Sequence, residues 1–351
     1  MLCWFLGANG ADGFGSLYDG WVDQTACQAF YVLKGGAGCG KSTLMRRVAA
    51  RLEKAGWDVE YILCSGDPGS LDGVRIPGKG AALVDGTAPH VVEPAFVGAT
   101  GHYLDLGDGY DRAALFPQRA EIVRLAQTYK AAYRDAWHCL RAAEEARARA
   151  AAPLHTEEVR EKLRKRAGRL LHQLGRQKGI GRRTDRFLGG PTCEGPRFLD
   201  GTVRALCGQG WLIRDEVGLA PALLAQLEAG LREAGWDVIA CPDPLRPSRL
   251  AQLLVPELAV CFLTQDVEGL PLRPVRTESV LDKTRWQEVR GAVRLAERAA
   301  QELEAEAVGH LRTAKERHDE LEALYRPHVD FSLAEALTER TAAEILALPD
   351  V

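Results

Sequence analysis

Long hydrophobic runs are missing from this 351-residue chain. No stretch reaches the roughly 18 apolar residues that a membrane-crossing helix requires, so no transmembrane segment is expected. The first residues, Met1-Leu-Cys-Trp-Phe-Leu-Gly, contain no basic residue and only a short apolar run, which argues against a secretory signal. Cys-x-x-Cys pairs are also missing. The nine cysteines (3, 27, 39, 64, 139, 193, 207, 241 and 261) are odd in number and scattered, so neither a disulfide framework nor a zinc site is expected. Reduced thiols in a cytoplasmic protein fit better. An excess of one charge is missing too: 45 basic minus 48 acidic residues leaves −3. That excludes a uniformly basic nucleic-acid binder but leaves room for a local patch.

What is present is an ordinary globular composition, 46% hydrophobic and 26% charged. At roughly 150 residues per domain its length suggests two domains. An internal repeat divides it in the same way. Residues 52–59 read Leu-Glu-Lys-Ala-Gly-Trp-Asp-Val and residues 231–238 read Leu-Arg-Glu-Ala-Gly-Trp-Asp-Val, an offset of 231 − 52 = 179. The same offset aligns Leu71 with Leu250 and Pro77 with Pro256. Tyr31-Val-Leu-Lys faces Trp211-Leu-Ile-Arg, Phe5-Leu-Gly faces Phe187-Leu-Gly, and Asp19-Gly faces Asp200-Gly, with only a small drift. Register kept over separate anchors points to duplication, with halves 1–182 and 183–351.

Each half reads as alternating strands and helices followed by long helices, which predicts an α/β fold with a parallel sheet. In the first half, strands are expected at 30–34, 58–64 and 80–85, a helix at 41–55 ending before Gly56, and a Pro/Gly loop at 66–79. In the second, strands are expected near 210–214, 236–240 and 257–263. Ala/Arg/Glu/Leu-rich segments at 117–150 and 156–178 carry helical spacing, with Pro153 breaking them into a hairpin. Two more helices are expected at 283–326 and 332–347. Each half would thus carry a long helical-hairpin insertion. The charge on these arms reads first as the solvated face of a bundle or coiled-coil pair.

Gly35-Gly36-Ala37-Gly38-Cys39-Gly40-Lys41-Ser42 fits G-x-x-x-x-G-K-[ST] at every fixed position. It follows an apolar strand and opens a helix, as its mechanism demands. Glycines let successive N–H groups turn toward phosphate oxygens, and the helix N-terminus adds partial positive charge. Lys41 is then expected to reach the β- and γ-phosphates and Ser42 to offer its hydroxyl to Mg²⁺. Thr43 is expected at the α-phosphate. A second Mg²⁺ anchor needs an Asp ending an apolar strand, and Ala81-Ala-Leu-Val-Asp85 provides one. Gly86 follows, so no glutamate stands beside Asp85. Asp67, Asp72 and His90, each just past or near a strand end, are the candidates for base, γ-phosphate sensor or substrate ligand. Their ordinary alternatives are Asx turns and a loop histidine. No N/T-K-x-D guanine-reading motif occurs, so ATP is preferred to GTP by default. Opposite Gly40-Lys41-Ser42 lie Leu219-Ala220-Pro221, and opposite Asp85 lies Thr264; the second half is expected to hold no Mg-nucleotide.

The strings Leu33-Lys-Gly-Gly-Ala-Gly-Cys-Gly-Lys-Ser-Thr-Leu-Met, Cys64-Ser, Ser70-Leu-Asp-Gly-Val, Ile76-Pro and Val84-Asp-Gly-Thr-Ala-Pro-His90 resemble an uncharacterised bacterial family of tandem P-loop ATPases. The resemblance spans nearly the whole chain, and Val-Asp-Gly-Thr-Ala-Pro-His is its most specific part. It implies two P-loop domains with helical insertions, ATP and Mg²⁺ as ligands, and ATPase activity, without naming a partner. The second P-loop is often intact in that family, and here it is not. Two other functions stay open. A small-molecule or nucleotide kinase would use Asp67 or Asp72 as acceptor base. A nucleic-acid or protein scaffold would hold ATP structurally; residues 156–186 carry eleven Lys/Arg against four Asp/Glu, though aromatics for base stacking are scarce.

Overall fold

The computed structural model describes all 351 residues. In the first half the order is β1 (Leu2–Phe5), β2 (Gly7–Gly10), β3 (Gly13–Ser16), β4 (Ala29–Lys34), α1 (Lys41–Lys54), β5 (Glu60–Leu63), β6 (Leu71–Ile76), β7 (Ala81–Asp85), β8 (Gly101–Asp105), α2 (Arg112–Leu115), α3 (Arg119–Ala151) and α4 (Glu157–Leu171). In the second it is β9 (Arg183–Asp185), β10 (Gly189–Thr192), β11 (Gly195–Phe198), α5 (Asp200–Leu206), β12 (Gln209–Arg214), α6 (Ala220–Glu233), β13 (Val238–Asp243), β14 (Arg246–Val255), β15 (Val260–Leu263), β16 (Leu272–Arg276), α7 (Lys283–Tyr325) and α8 (Phe331–Ala347). No helix is long and apolar enough to cross a membrane.

Both halves build the same six-stranded sheet. The first runs β1-β5-β6-β7-β4-β8 and the second β9-β13-β14-β15-β12-β16. In each, the third strand is antiparallel to both neighbours and the remaining pairs are parallel. The sheets are therefore mixed, not parallel as expected, and β6 lies in the middle of the stretch read as the 66–79 loop. The reason is loop length. Residues 64–70 and 77–80 are too few for a parallel crossover, which takes about a dozen residues or more, so β6 must double back twice.

The repeat anchors have matching backbone. Gly56 and Gly235 follow α1 and α6 in the left-handed region, both with φ +91°. Pro77 and Pro256 each open a one-turn 3₁₀ helix. Phe5 and Phe187 pair with one another: each N–H donates to the other's carbonyl at 3.0 Å. The two Phe-Leu-Gly strings thus meet where the halves join.

Strand alternation gives each sheet two apolar faces. Phe30, Val32, Ala82 and Val84 point inward, against Leu254, Cys261 and Leu263 of the other sheet, in one shared core. Tyr31, Leu33 and Leu83 point outward under α1 and α8. Ile213, Leu253 and Phe262 lie under α6 and α4. The result is four layers: helices, sheet, sheet, helices.

The arms depart from expectation. Pro153 does break the helix, in the turn 152–154, but α3 and α4 do not form a hairpin. Instead α4, which follows the first sheet, packs on α6 of the second through Val159, Leu163, Ala167 and Leu170. At the other end α8, which follows the second sheet, packs on α1 of the first through Leu337, Ala342 and Ile345. The long helices span the distance: at 1.5 Å per residue, α3 is about 50 Å long and α7 about 65 Å. They run antiparallel, with Tyr129 against His318 near one end and Arg147 bonded to Glu297 near the other. On α7 the buried positions Val293, Ala300, Ala307, Ala314 and Leu321 recur every seven residues, a coiled-coil seam. Ala132, Ala136 and Ala143 line the facing seam of α3, so small side chains let the helices approach closely.

The shared left-handed turns give a stability test. Gly56→Ala should cost about 1 kcal/mol, because its Cβ enters open space and only backbone strain is added. Gly235→Ala should cost clearly more, since its Cβ would lie 3.0 Å from the Gln177 backbone. Urea unfolding of both variants checks the order; equal losses would contradict it.

Candidate functional site

The segment 35–40 links β4 to α1. Gly40, with φ +94°, caps the helix, and no side chain accepts from the first turn of α1, which also lacks an acidic residue. The N–H groups of this turn are therefore open to an anion from outside. Lys41 folds back over the loop: its Nζ donates to the Gly35 carbonyl at 2.9 Å and the Gly36 carbonyl at 2.8 Å, and lies 3.6 Å from Asp85 Oδ2. Asp85 ends β7, which pairs with β4 so that Leu33 and Asp85 are in register. Its Oδ1 accepts from the Thr87 N–H and hydroxyl at 2.9 and 2.6 Å. Ser42 Oγ accepts from the Leu71 N–H at 2.9 Å. Ala37 and Gly36 sit under Tyr110, whose hydroxyl donates to the Ala37 carbonyl at 2.9 Å. Cys39 is buried, its thiol donating to the Gly36 carbonyl. Thr43 is exposed on the first turn of α1. Loop, Lys41, Ser42 and Asp85 thus come together at one end of the sheet.

The other candidates separate into two places. Asp67 closes the turn before β6, accepting from the Gly69 N–H at 3.1 Å and the Ser70 hydroxyl at 2.9 Å. It also faces Lys315 of α7 at 3.6 Å. Asp72 points the opposite way from Leu71, into a buried polar cluster. The Tyr18 hydroxyl donates to Asp72 Oδ2 at 2.8 Å, and His90 Nε2 lies 3.9 Å from Oδ1. His90 stacks on Tyr18 with ring centres 4.6 Å apart, and neither of its ring nitrogens has a hydrogen-bond partner. Burial pushes the Asp72 carboxyl up despite the nearby His90, and burial pushes the neighbouring Cys64 thiol up as well. Asp72 and His90 therefore act on each other, while Asp67 belongs to the rim.

No group of three or more His, Cys, Asp or Glu side chains could enclose a metal ion. The Ser42 hydroxyl and the Asp85 carboxylate are nonetheless the hard oxygen donors Mg²⁺ takes when most of its ligands are water and phosphate.

The second half shows why its loop differs. Between β12 and α6, Asp215 turns its carboxylate onto the loop's own N–H groups: Oδ2 accepts from Ala220 at 2.6 Å and Oδ1 from Val217 at 3.2 Å. Oδ1 also accepts from the Thr277 hydroxyl at 2.8 Å, and Glu278 Oε1 accepts from the Glu216 N–H at 2.7 Å. An internal carboxylate already occupies the head of α6, where the first half leaves the helix end free.

The sequence reading missed Tyr18, Tyr110, Lys315, Glu322 and Asp215. Tyr18 and Tyr110 lie outside any motif. Lys315 and Glu322 belong to an arm read as solvated charge, and Asp215 gave no signal. The basic stretch 156–186 is largely the outer face of α4, where Arg160, Lys162, Arg164 and Lys165 pair with Glu157, Glu158 and Glu161. Arg166 donates to the Arg276 carbonyl at 2.7 Å.

Residues 15–72 are similar to the nephrocystin 3 N-terminal family. That stretch takes in the 35–42 loop and ends before Asp85. No curated protein and no solved structure matches the chain.

Two outcomes follow from these contacts. Asp72 protonates more readily in the fold than unfolded. Its stabilising contribution is therefore full below about pH 4 and is lost as pH rises through the raised native value. Asp72→Asn should gain thermal stability relative to the parent as pH rises from about 4 to 7; parallel melting curves over that range would contradict it. Asp215→Ala leaves the Val217 and Ala220 N–H groups without partners and should cost about 2 kcal/mol in chemical denaturation, while leaving the first-half loop intact.

Proposed function

We propose that the first half is a P-loop module that binds Mg-ATP and hydrolyses it slowly, and that the second half is a degenerate copy with a structural or regulatory role. The observation that carries this reading is the contrast between the two loops. One helix end is free, with a lysine folded onto loop carbonyls and an aspartate ending the adjacent strand. Its counterpart is filled by Asp215. An open N–H cradle with a lysine beside it suits a multiply charged phosphate, and a plugged one does not. The resemblance of the strings within residues 33–90 to tandem P-loop ATPases supports the same reading.

In this reading the N–H groups of 36–42 and Lys41 bind the β- and γ-phosphates. Mg²⁺, held by Ser42 and Asp85, would spread the charge of the β- and γ-oxygens. Hydrolysis joins a water oxygen to the γ-phosphorus and breaks its bond to the bridging oxygen. The electron pair leaves with ADP, and phosphate and a proton are released. Lys41 must abandon the Gly35 and Gly36 carbonyls to contact nucleotide, so the resting contacts compete with binding. With no glutamate after Asp85, water is poorly activated and turnover is slow.

One observation favours a second reading, transfer to an acceptor. Asp72 directly follows Leu71, whose N–H holds Ser42, and its buried cluster with Tyr18 and His90 offers a protected base. Cytoplasmic residence and an unidentified protein or small-molecule partner are compatible with either. A nucleic-acid partner is less favoured, because glutamates neutralise much of the basic face of α4.

Equilibrium binding of ATP with and without Mg²⁺, and phosphate release, should be measured beside Lys41→Ala and Asp85→Ala. Mg²⁺-dependent binding, weakened at least about tenfold in both variants, is expected, with turnover well below the about 10 s⁻¹ of a typical enzyme. Absence of binding by the intact protein would defeat the reading. Release of ADP only when an acceptor is added would favour transfer.

A further inference from the structure

The nucleotide loop is overhung by a helix that begins in the other half. Residues 315, 318, 319 and 322 of α7 recur at helical i, i+3, i+4 and i+7 spacing and share one face. That face runs along the rim of the 35–42 loop. At one end, the Glu322 carbonyl oxygen would lie 3.2 Å from a Cβ built on Gly38. One turn on, Tyr325 packs on Tyr110, the residue bonded to Ala37, with ring centres 5.2 Å apart. At the other end, Lys315 reaches Asp67. Between them, His318 Nδ1 lies 3.9 Å from Glu322 Oε1 and its ring meets Tyr129 edge-on; burial lowers its pKa against the opposing carboxylates of Glu322 and Asp319.

Several cations other than Lys41 stand near this rim. Lys34 is spent on the Gly86 carbonyl and on Glu93. Arg46 is spent on the Gly69 carbonyl. Burial disfavours the charged form of His318. Arg326 is largely exposed and only 3.9 Å from Glu322. Lys315 is different. It is three-quarters buried, bonded to both oxygens of Asp319 at 2.6 Å and 3.6 Å from Asp67. Asp67 in turn shapes the turn whose next residue, Leu71, donates to Ser42. Lys315 therefore sits on the side of the loop where Ser42 and Asp85 gather. Phosphoryl transfer spreads negative charge over the γ-oxygens, and one lysine is a thin complement to it.

Resting on the Mg-ATP reading above, we infer that Lys315 is the second cation of the site, delivered from the second half by α7. When nucleotide binds, its ammonium exchanges Asp67 for a terminal phosphate oxygen. The exchange of arms explains how a helix anchored in a half without a nucleotide site completes the site in the other: hydrolysis then requires α7 to stay docked, and the second half controls that docking through the α7 start.

The test uses the full chain. Affinity for a fluorescent ATP analogue, phosphate release, and affinity for ADP with aluminium fluoride are measured for the parent, Lys315→Ala, Lys315→Gln, Lys315→Arg and Arg326→Ala. Melting temperatures establish that each variant is folded, and Lys315→Gln stands in if the alanine variant is not. Expected is a loss of phosphate release on the order of 100-fold in Lys315→Ala, with analogue affinity within about threefold of the parent and tight ADP–aluminium fluoride binding lost. Lys315→Arg should recover part of the rate, and Arg326→Ala should behave as the parent. Parent-like turnover in Lys315→Ala overturns the inference, as does a loss confined to Arg326→Ala, or equal losses of binding and turnover. A parent protein that binds no analogue would instead overturn the Mg-ATP reading itself, and with it this one.

Discussion

The antiparallel pairing of α3 with α7 is the contact on which the rest of the molecule depends. Each helix carries the chain out of one half and into the other. Their alanine seam fixes how far apart those ends can be. Because α3 delivers α4 onto α6 and α7 delivers α8 onto α1, neither sheet is covered on its outer face by its own half alone. The inner faces meet in a shared core, and the Phe5–Phe187 pairing ties the two N-terminal strings together. Coverage that is exchanged in this way makes the halves interdependent: loosening the long pair uncovers apolar surface on both sheets at once.

The two loops show a second constraint. A helix N-terminus presents N–H groups that must find acceptors. In the second half the acceptors are built in, as Asp215 and Glu278 with Thr277 in support. In the first half none is built in, and the nearest charged group is a lysine bonded to the loop's own carbonyls. The same topology therefore gives a finished structural turn in one copy and an uncapped helix end in the other. The difference lies in a few side chains and not in the backbone plan.

Much of the organisation was readable from residues. The Ala-Gly-Trp-Asp-Val strings marked the ends of equivalent helices because both need a glycine in the left-handed region at that point. Strand–glycine loop–helix was legible at 30–55 because apolar periodicity changes there from two to 3.6. The strands β6 and β14 were not. In β6, Asp72-Gly-Val-Arg lacks a clean apolar run, and a Pro/Gly turn follows. Its antiparallel direction comes from short connections on both sides. Asp72 and His90 were both singled out, but their pairing with Tyr18 was not legible, since Tyr18 lies outside any motif.

Sequence by itself determined the repeat, the helical arms, the glycine loop with Lys41 and Ser42, and the aspartate that ends β7. These are local patterns, written in spacing and in residue type. Tertiary structure alone decided which arm covers which sheet, that Asp72 faces His90 while Asp67 faces Lys315, and that Asp215 fills the second loop. The arm and sheet contacts and the Asp67–Lys315 pair join residues tens to hundreds of positions apart, and even Asp215, which bonds nearby N–H groups, is held by the distant Thr277. They are chosen by packing geometry and by the need to satisfy buried polar groups, and no short window of sequence records either.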